Sequence, residues 1–306
     1  MTAPLPVIEL ENLSVLAGRR KFEWEAVGQG RPLVWVEGGP GFPAHLGRPD
    51  VELLSRWFTC YLVNAPGCGR TSAPLDSPDG YSLLAHVEFF EEVRAALGLG
   101  PVALAGHSWG GLVAPAWAAR YPHSVERLLI FDGYAGGGSV DETAASAERE
   151  AVFDRIRDRP WFDDAVGALE RVLGLESPTE QELCDSFSPV WPLYFAEPDS
   201  VIARAHTKRL RRELRWNVAV AEVWDRDYEA LDYRSLIAGV DCPTLILVGK
   251  HDFVCGPTWN RALGAVISGA RHVEIADAGH LPQYEQPEAV AAAIEDWLGS
   301  VEAAEG

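Results

Sequence analysis

Apolar runs of four to six residues, set apart by longer amphipathic or polar stretches, give this chain its rhythm. Leu33–Val36, Phe58–Val63, Val102–Ala105 and Thr244–Val248 carry little polar–apolar alternation. Strands of a parallel sheet, covered by helices on both faces, read this way. Arg127–Phe131 and Arg271–Ile275 read as two more buried strands. Residues 7–10 and 20–27 predict a leading antiparallel hairpin. Between the second and third runs, Leu83, Val87, Phe90, Val93 and Leu97 share one helical face, with Glu88, Glu91, Glu92 and Arg94 outside it. Gly98 and Gly100 stop that helix. Leu112–Tyr121 predicts another, although Pro115 lies past its first turn. A proline there removes a hydrogen bond at a cost of about 3 kcal/mol, so a kink or a later start is expected. Pro257 and Pro287 each suit a first helical position. The final helix is expected to reach about Val301, with residues 302–306 frayed.

Strand–helix alternation therefore marks an α/β fold. It is interrupted once. Residues 134–234 hold Gly136, Gly137 and Gly138, charged helical stretches and scattered aromatics such as Trp161, Trp191, Tyr194 and Trp216, with no parallel strand. The expected organisation is a core of residues 1–133 and 235–306, with a helical cap inserted over 134–234.

Composition narrows the function classes. Of 306 residues 47% are hydrophobic, enough for a sizeable core. No apolar run reaches membrane-spanning length, and the N-terminus lacks a basic region followed by an apolar stretch, so neither membrane nor secretion is expected. A net charge of −19 argues against nucleic acid as a partner. The five cysteines are an odd count without a Cys-x-x-Cys pair, which suits reduced thiols in a cytoplasm. No His/Cys cluster has metal-ligand spacing, and nothing calls for a cofactor.

The chemistry gathers after the third strand. Gly106, Ser108 and Gly110 form Gly-x-Ser-x-Gly between an apolar run and a helix. A tight strand-to-helix turn needs glycines beside its apex and presents the serine hydroxyl at a helix N-terminus. This resembles the nucleophile elbow of the α/β-hydrolases. The resemblance implies a mostly parallel eight-stranded sheet, flanked by helices, with a Ser–acid–His chain order. A serine nucleophile needs a base, and the base needs an acid to hold its tautomer. Asp252 and His280 each follow a buried strand at its C-terminal end, in that order. Asp132 also ends a strand and is the second choice of acid. His107 adjoins the serine, but adjacent side chains at an elbow diverge, so it is expected to point elsewhere. For the oxyanion, backbone N–H groups of Trp109 and Gly39 are the candidates: one follows the nucleophile, the other lies in the loop Gly38-Gly39-Pro40-Gly41.

That loop together with Gly-His-Ser-Trp-Gly-Gly at 106–111 is similar to the proline iminopeptidase family over residues 30–132 and 240–300. The resemblance implies release of an N-terminal residue, often proline, from short peptides through an acyl-enzyme. Two departures stand out. The family's loop begins with histidine, where this chain has Glu37, and Phe253 occupies the position after the acid where some relatives carry glutamate. Amine capture needs a carboxylate. Glu37 and Glu222 are the candidates for it; Glu37 could equally tie its own loop together, and Glu222 could be an exposed helical residue. The alternative is a carboxylesterase, lactonase or amidase using the same three residues without amine recognition. An epoxide hydrolase would need aspartate at position 108, and a non-catalytic receptor would have no use for an intact triad.

Overall fold

The strands, in chain order, are β1 (Val7–Ile8), β2 (Ser14–Val15), β3 (Lys21–Phe22), β4 (Trp24–Val27), β5 (Arg31–Val36), β6 (Phe58–Val63), β7 (Val102–His107), β8 (Val125–Phe131), β9 (Thr244–Gly249) and β10 (Arg271–Ile275). Eight form one sheet in the order β1-β4-β6-β5-β7-β8-β9-β10, and β2 and β3 form a separate ribbon. β4 pairs antiparallel with β1 and β6, while the remaining pairings in the sheet are parallel. The leading hairpin is thus β1 against β4, with Val7 opposite Val27. The computed structural model describes residues 7–8, 14–15, 21–74, 78–135, 140–175, 178–227 and 231–305. The glycines at 136–138 and residues 9, 10 and 20 of the expected hairpin lie outside them.

The apolar runs are runs because successive side chains serve two cores. Val34 and Val36 of β5, Leu104 of β7, Ile130 of β8 and Ile246 of β9 enter one core. Leu33, Trp35, Ala105, Leu129 and Leu247 enter the other. A strand's two-residue period divides them this way. The first core is covered by α2 (Leu83–Ala96), α3 (Gly110–Arg120), α9 (Tyr233–Ile237) and α10 (Pro257–Val266). The second is covered by α1 (Arg48–Leu54) and α12 (Pro287–Glu305), the latter following the single-turn α11 (Pro282–Glu285).

Three sequence expectations change. β10 is half-buried rather than buried, because it ends the sheet and has β9 on one side only. α12 continues to Glu305, since Val290, Ile294, Trp297 and Val301 form one buried stripe that holds the last turn down. α3 starts earlier than expected, at Gly110, and runs through Pro115. The carbonyl that Pro115 leaves without an intrahelical partner is that of Gly111, and the Tyr233 hydroxyl donates to it at 3.5 Å.

Between β8 and β9 lie α4 (Glu142–Ile156), α5 (Phe162–Leu173), α6 (Glu180–Phe187), a 3-10 segment Ser188–Tyr194, α7 (Val201–Glu213) and α8 (Val218–Asp227). Their starts are set locally: Asp141, Thr179 and Ser200 each cap the following helix with a side-chain oxygen. They pack a third core around Phe162, Phe187, Trp191, Leu210 and Trp216. Phe187 meets Trp191 and Trp216 edge-on at 5.0 and 5.1 Å. This core reaches Leu46, Phe253 and Leu281 of the sheet-bearing part. Two backbone bonds join the layers: Asn217 N–H to the Gly41 carbonyl at 2.9 Å, and His280 N–H to the Tyr194 carbonyl at 2.8 Å. Among the described residues no helix is long and apolar enough to cross a membrane.

Candidate active site

Ser108 sits between the end of β7 and the start of α3 with φ of 54°. Few non-glycine residues adopt this conformation, which costs of order 1–3 kcal/mol and persists where packing enforces it. The enforcement is visible at the flanking glycines. A Cβ on Gly106 would stand 2.1 Å from the Gly110 carbonyl oxygen, and one on Gly110 would stand 2.1 Å from that of Val36. Only glycine lets β5, β7 and α3 approach so closely.

His280 and Asp252 arrive from the loops after β10 and β9. His280 Nδ1 lies 2.8 Å from Asp252 Oδ2, and both residues are buried. Asp252 Oδ1 accepts N–H bonds from Val254 at 2.7 Å and Cys255 at 3.1 Å. The carboxylate can only accept, so Nδ1 donates to it, and in the neutral ring Nε2 is then the nitrogen with the lone pair. His280 and Ser108 line one small cavity of about 50 Å³, room for a few water molecules.

His107 turns toward His280. Its ring packs 4.8 Å from that of His280, and its Nε2 lies 2.9 Å from the His280 carbonyl oxygen. A carbonyl can only accept, so Nε2 is the protonated nitrogen. Burial, followed by the neighbouring His280, pushes its pKa down to about 3, so His107 stays neutral. His107 is thus engaged by the residue that carries the candidate base, and both border the cavity.

Gly39 lies on the cavity wall with φ of 126°, and Trp109 starts the first turn of α3. Among the described residues neither backbone N–H donates within the chain. The Trp109 indole turns into the core, edge-on to His86 at 4.9 Å.

Glu37 lies on the same wall and is tied to its loop as well. Its Oε2 accepts from the Trp35 indole at 3.0 Å, and its Oε1 accepts from Gly38 N–H at 2.9 Å. A Cβ on Gly47 would come within 2.4 Å of Oε2. Beside Glu37 on the wall is Asp50, from α1, which accepts from Gln283 Nε2 and Tyr284 Oη at 2.5 Å each. Burial pushes Glu37 up to about 7. Burial, and then the charge of Glu37, push Asp50 up to about 8. Arg209 acts electrostatically on both but lies off this wall, donating to the His45 and Leu46 carbonyls and to Glu213. Burial thus favours the neutral form of each of these two acids. Glu222 is exposed on α8 and does not line the cavity.

Asp252, Cys255 and His280 bring a carboxylate oxygen, a sulfur and a ring nitrogen within 4.8 Å of one another. The Nδ1–Oδ2 bond already engages two of those three groups, and burial drives the Cys255 thiol well above its usual range. No sequence pattern nominates Asp50, Tyr284 or the contact of His107 with His280. Asp50 had one signal: a charge directly beside Val51 in a short helix whose other apolar positions, Leu53 and Leu54, are buried.

The family model described as alpha/beta hydrolase fold matches residues 31–287. The chain is 25% identical over 284 residues to a proline iminopeptidase of Saccharolobus solfataricus, covering 90% of this chain and 86% of that protein. It is 26% identical to a cis-3-alkyl-4-alkyloxetan-2-one decarboxylase of Shewanella oneidensis, covering 83% and 77%. Its fold is similar to an enol-lactonase of Burkholderia xenovorans, with TM-score 0.69, 22% identity and coverage of 94% and 99%. With its elbow and its sheet, the chain belongs to the alpha/beta hydrolase fold family.

Proposed function

We propose that this hydrolase is a serine aminopeptidase releasing N-terminal proline, or another small residue, from short peptides. Ser108 attacks the carbonyl while His280 Nε2 takes its proton, and Asp252 steadies the imidazolium. The N–H groups of Gly39 and Trp109 hold the oxyanion. His280 then protonates the leaving amine and activates water to free the acyl group. The observation that carries the choice of substrate is the carboxyl pair Glu37 and Asp50 on the wall shared by Ser108 and His280. A substrate ammonium placed there exchanges for the protons the pair holds, and gains charge-assisted hydrogen bonds in a buried site. Relatives that are proline iminopeptidases support this reading. The second reading, an esterase or lactonase, is favoured by the apolar remainder of the wall, Phe42, Trp191 and Leu210, and by Phe253 following Asp252.

The test compares proline arylamide with its N-acetylated form. Hydrogen bonds to a charged group contribute about 1.5–3 kcal/mol, so blocking the amine is expected to lower kcat/KM by roughly 10- to 150-fold. Equal rates on both, with faster turnover of p-nitrophenyl acetate, would establish the second reading instead.

A further inference from the structure

Asp132 directly follows β8, where chain order offers a second acid. Structure brings it to the first. It is fully buried with φ of 46°, and its Oδ1 accepts the Gly249 N–H at 2.8 Å. The Asp252 N–H donates to the Gly249 carbonyl at 3.1 Å, so one glycine holds both aspartates. Their side chains face each other closely enough that each acts on the other's charge. Asp252 accepts from three donors, Val254 N–H, Cys255 N–H and His280 Nδ1–H. Asp132 accepts from one; its Oδ2 is buried and receives no N–H or O–H from the described residues. Two carboxylates facing each other repel in such a place, and an orphan carboxylate oxygen is costly. A proton on Asp132 Oδ2 resolves both, because the orphan acceptor becomes a donor to Asp252.

We propose that Asp132 is a positioning residue: a neutral acid whose Oδ2–H donates to Asp252 and holds that carboxylate in line with His280. Burial, and then the Asp252 charge, drive the Asp132 carboxyl well above its usual range, as this role requires. The other titratable groups facing it are Glu285, whose charge acts in the same direction, and the Cys255 thiol. The inference rests on the roles proposed for Ser108, His280 and Asp252, and is independent of the amine.

Two variants separate donor from charge. Asp132→Asn keeps an acceptor for Gly249 and an N–H for Asp252, and asparagine tolerates the left-handed backbone. Asp132→Gly keeps that backbone and removes both groups. The readouts are the rate at which a fluorophosphonate labels Ser108, kcat and KM on p-nitrophenyl acetate, and the downfield proton resonance of His280 Nδ1–H. Asp132→Asn is expected to label within about threefold of wild type and to keep the resonance. Asp132→Gly is expected to lose about 30-fold or more, in kcat rather than KM, and to lose the resonance. An equal loss in both variants would mean that Asp132 acts as an anion, and would overturn the proposal; so would an unchanged Asp132→Gly. Should Asp132→Gly fail to fold, Asp132→Asn decides: a loss above tenfold overturns the proposal and near-normal labelling supports it. Wild type that resists the probe, or labelling that persists in Ser108→Ala, overturns the triad reading itself. Labelling that depends on Ser108 but is indifferent to Asp132 overturns this inference alone.

Discussion

Replacing Asp252 by asparagine removes its charge and keeps its shape. In the structure Oδ1 accepts backbone N–H groups from Val254 at 2.7 Å and Cys255 at 3.1 Å, while Oδ2 accepts from His280 Nδ1 at 2.8 Å. An asparagine must leave its oxygen on the two backbone donors, since the opposite rotamer would set an NH2 against two N–H groups. Its NH2 then faces Nδ1, which can only accept. The imidazole proton moves to Nε2, and no lone pair remains for Ser108. The imidazolium of the transition state also loses its counter-charge. Where a triad aspartate elsewhere is changed this way, kcat falls by about 10⁴, which at 1.36 kcal/mol per tenfold is about 5.5 kcal/mol. KM should change little, because Asp252 does not line the cavity. Steady-state kinetics on proline arylamide, fluorophosphonate labelling and a thermal melt check the three parts together. A drop in kcat below tenfold, with the fold intact, would refute the assignment and pass the acid's role to Asp132.

Three further outcomes follow from the same geometry. Glu37 and Asp50 rise from 4.5 and 3.8 to about 7 and about 8, so the folded chain binds more protons than the unfolded one across that window. Their stabilisation is complete below about pH 4 and is lost as pH rises through about 7 to 8; urea titrations of Glu37→Gln should show a flatter slope, and an unchanged slope refutes the pairing. His107→Phe, which cannot donate to the His280 carbonyl, should lower kcat by about tenfold or more while His107→Gln stays within about threefold; equal effects would mean that only the ring's bulk matters. Tyr233→Phe leaves the Gly111 carbonyl without its donor and should cost about 1 kcal/mol in chemical denaturation. In a Pro115→Ala background the restored amide supplies that carbonyl, so the cost should shrink; strict additivity in the double-mutant cycle would show that the two do not share it.

Much of this protein is legible as a string. Apolar runs locate the central strands because a strand covered on both faces needs apolar residues at every position. The glycines at 106 and 110 announce the elbow, because a Cβ at either would strike backbone. The order serine, aspartate, histidine nominates Ser108, Asp252 and His280 before any distance is known. These signals are local: each reports what a residue needs from neighbours a few positions away. The arrangement of the site is not local. His107 meets a carbonyl 173 positions later, and Asp50 meets Gln283 and Tyr284 across 233 and 234. The conflict at Pro115 is answered by a hydroxyl 122 positions beyond the carbonyl it strands. Asp132 and Asp252, two candidates for one role in the sequence, come together because β8 and β9 are adjacent parallel strands ending at one edge. Sheet order and register decide such meetings, and with them which buried carboxyls can keep their charge. No local pattern carries that information, because the energy of a buried acid depends on what lies against it in space.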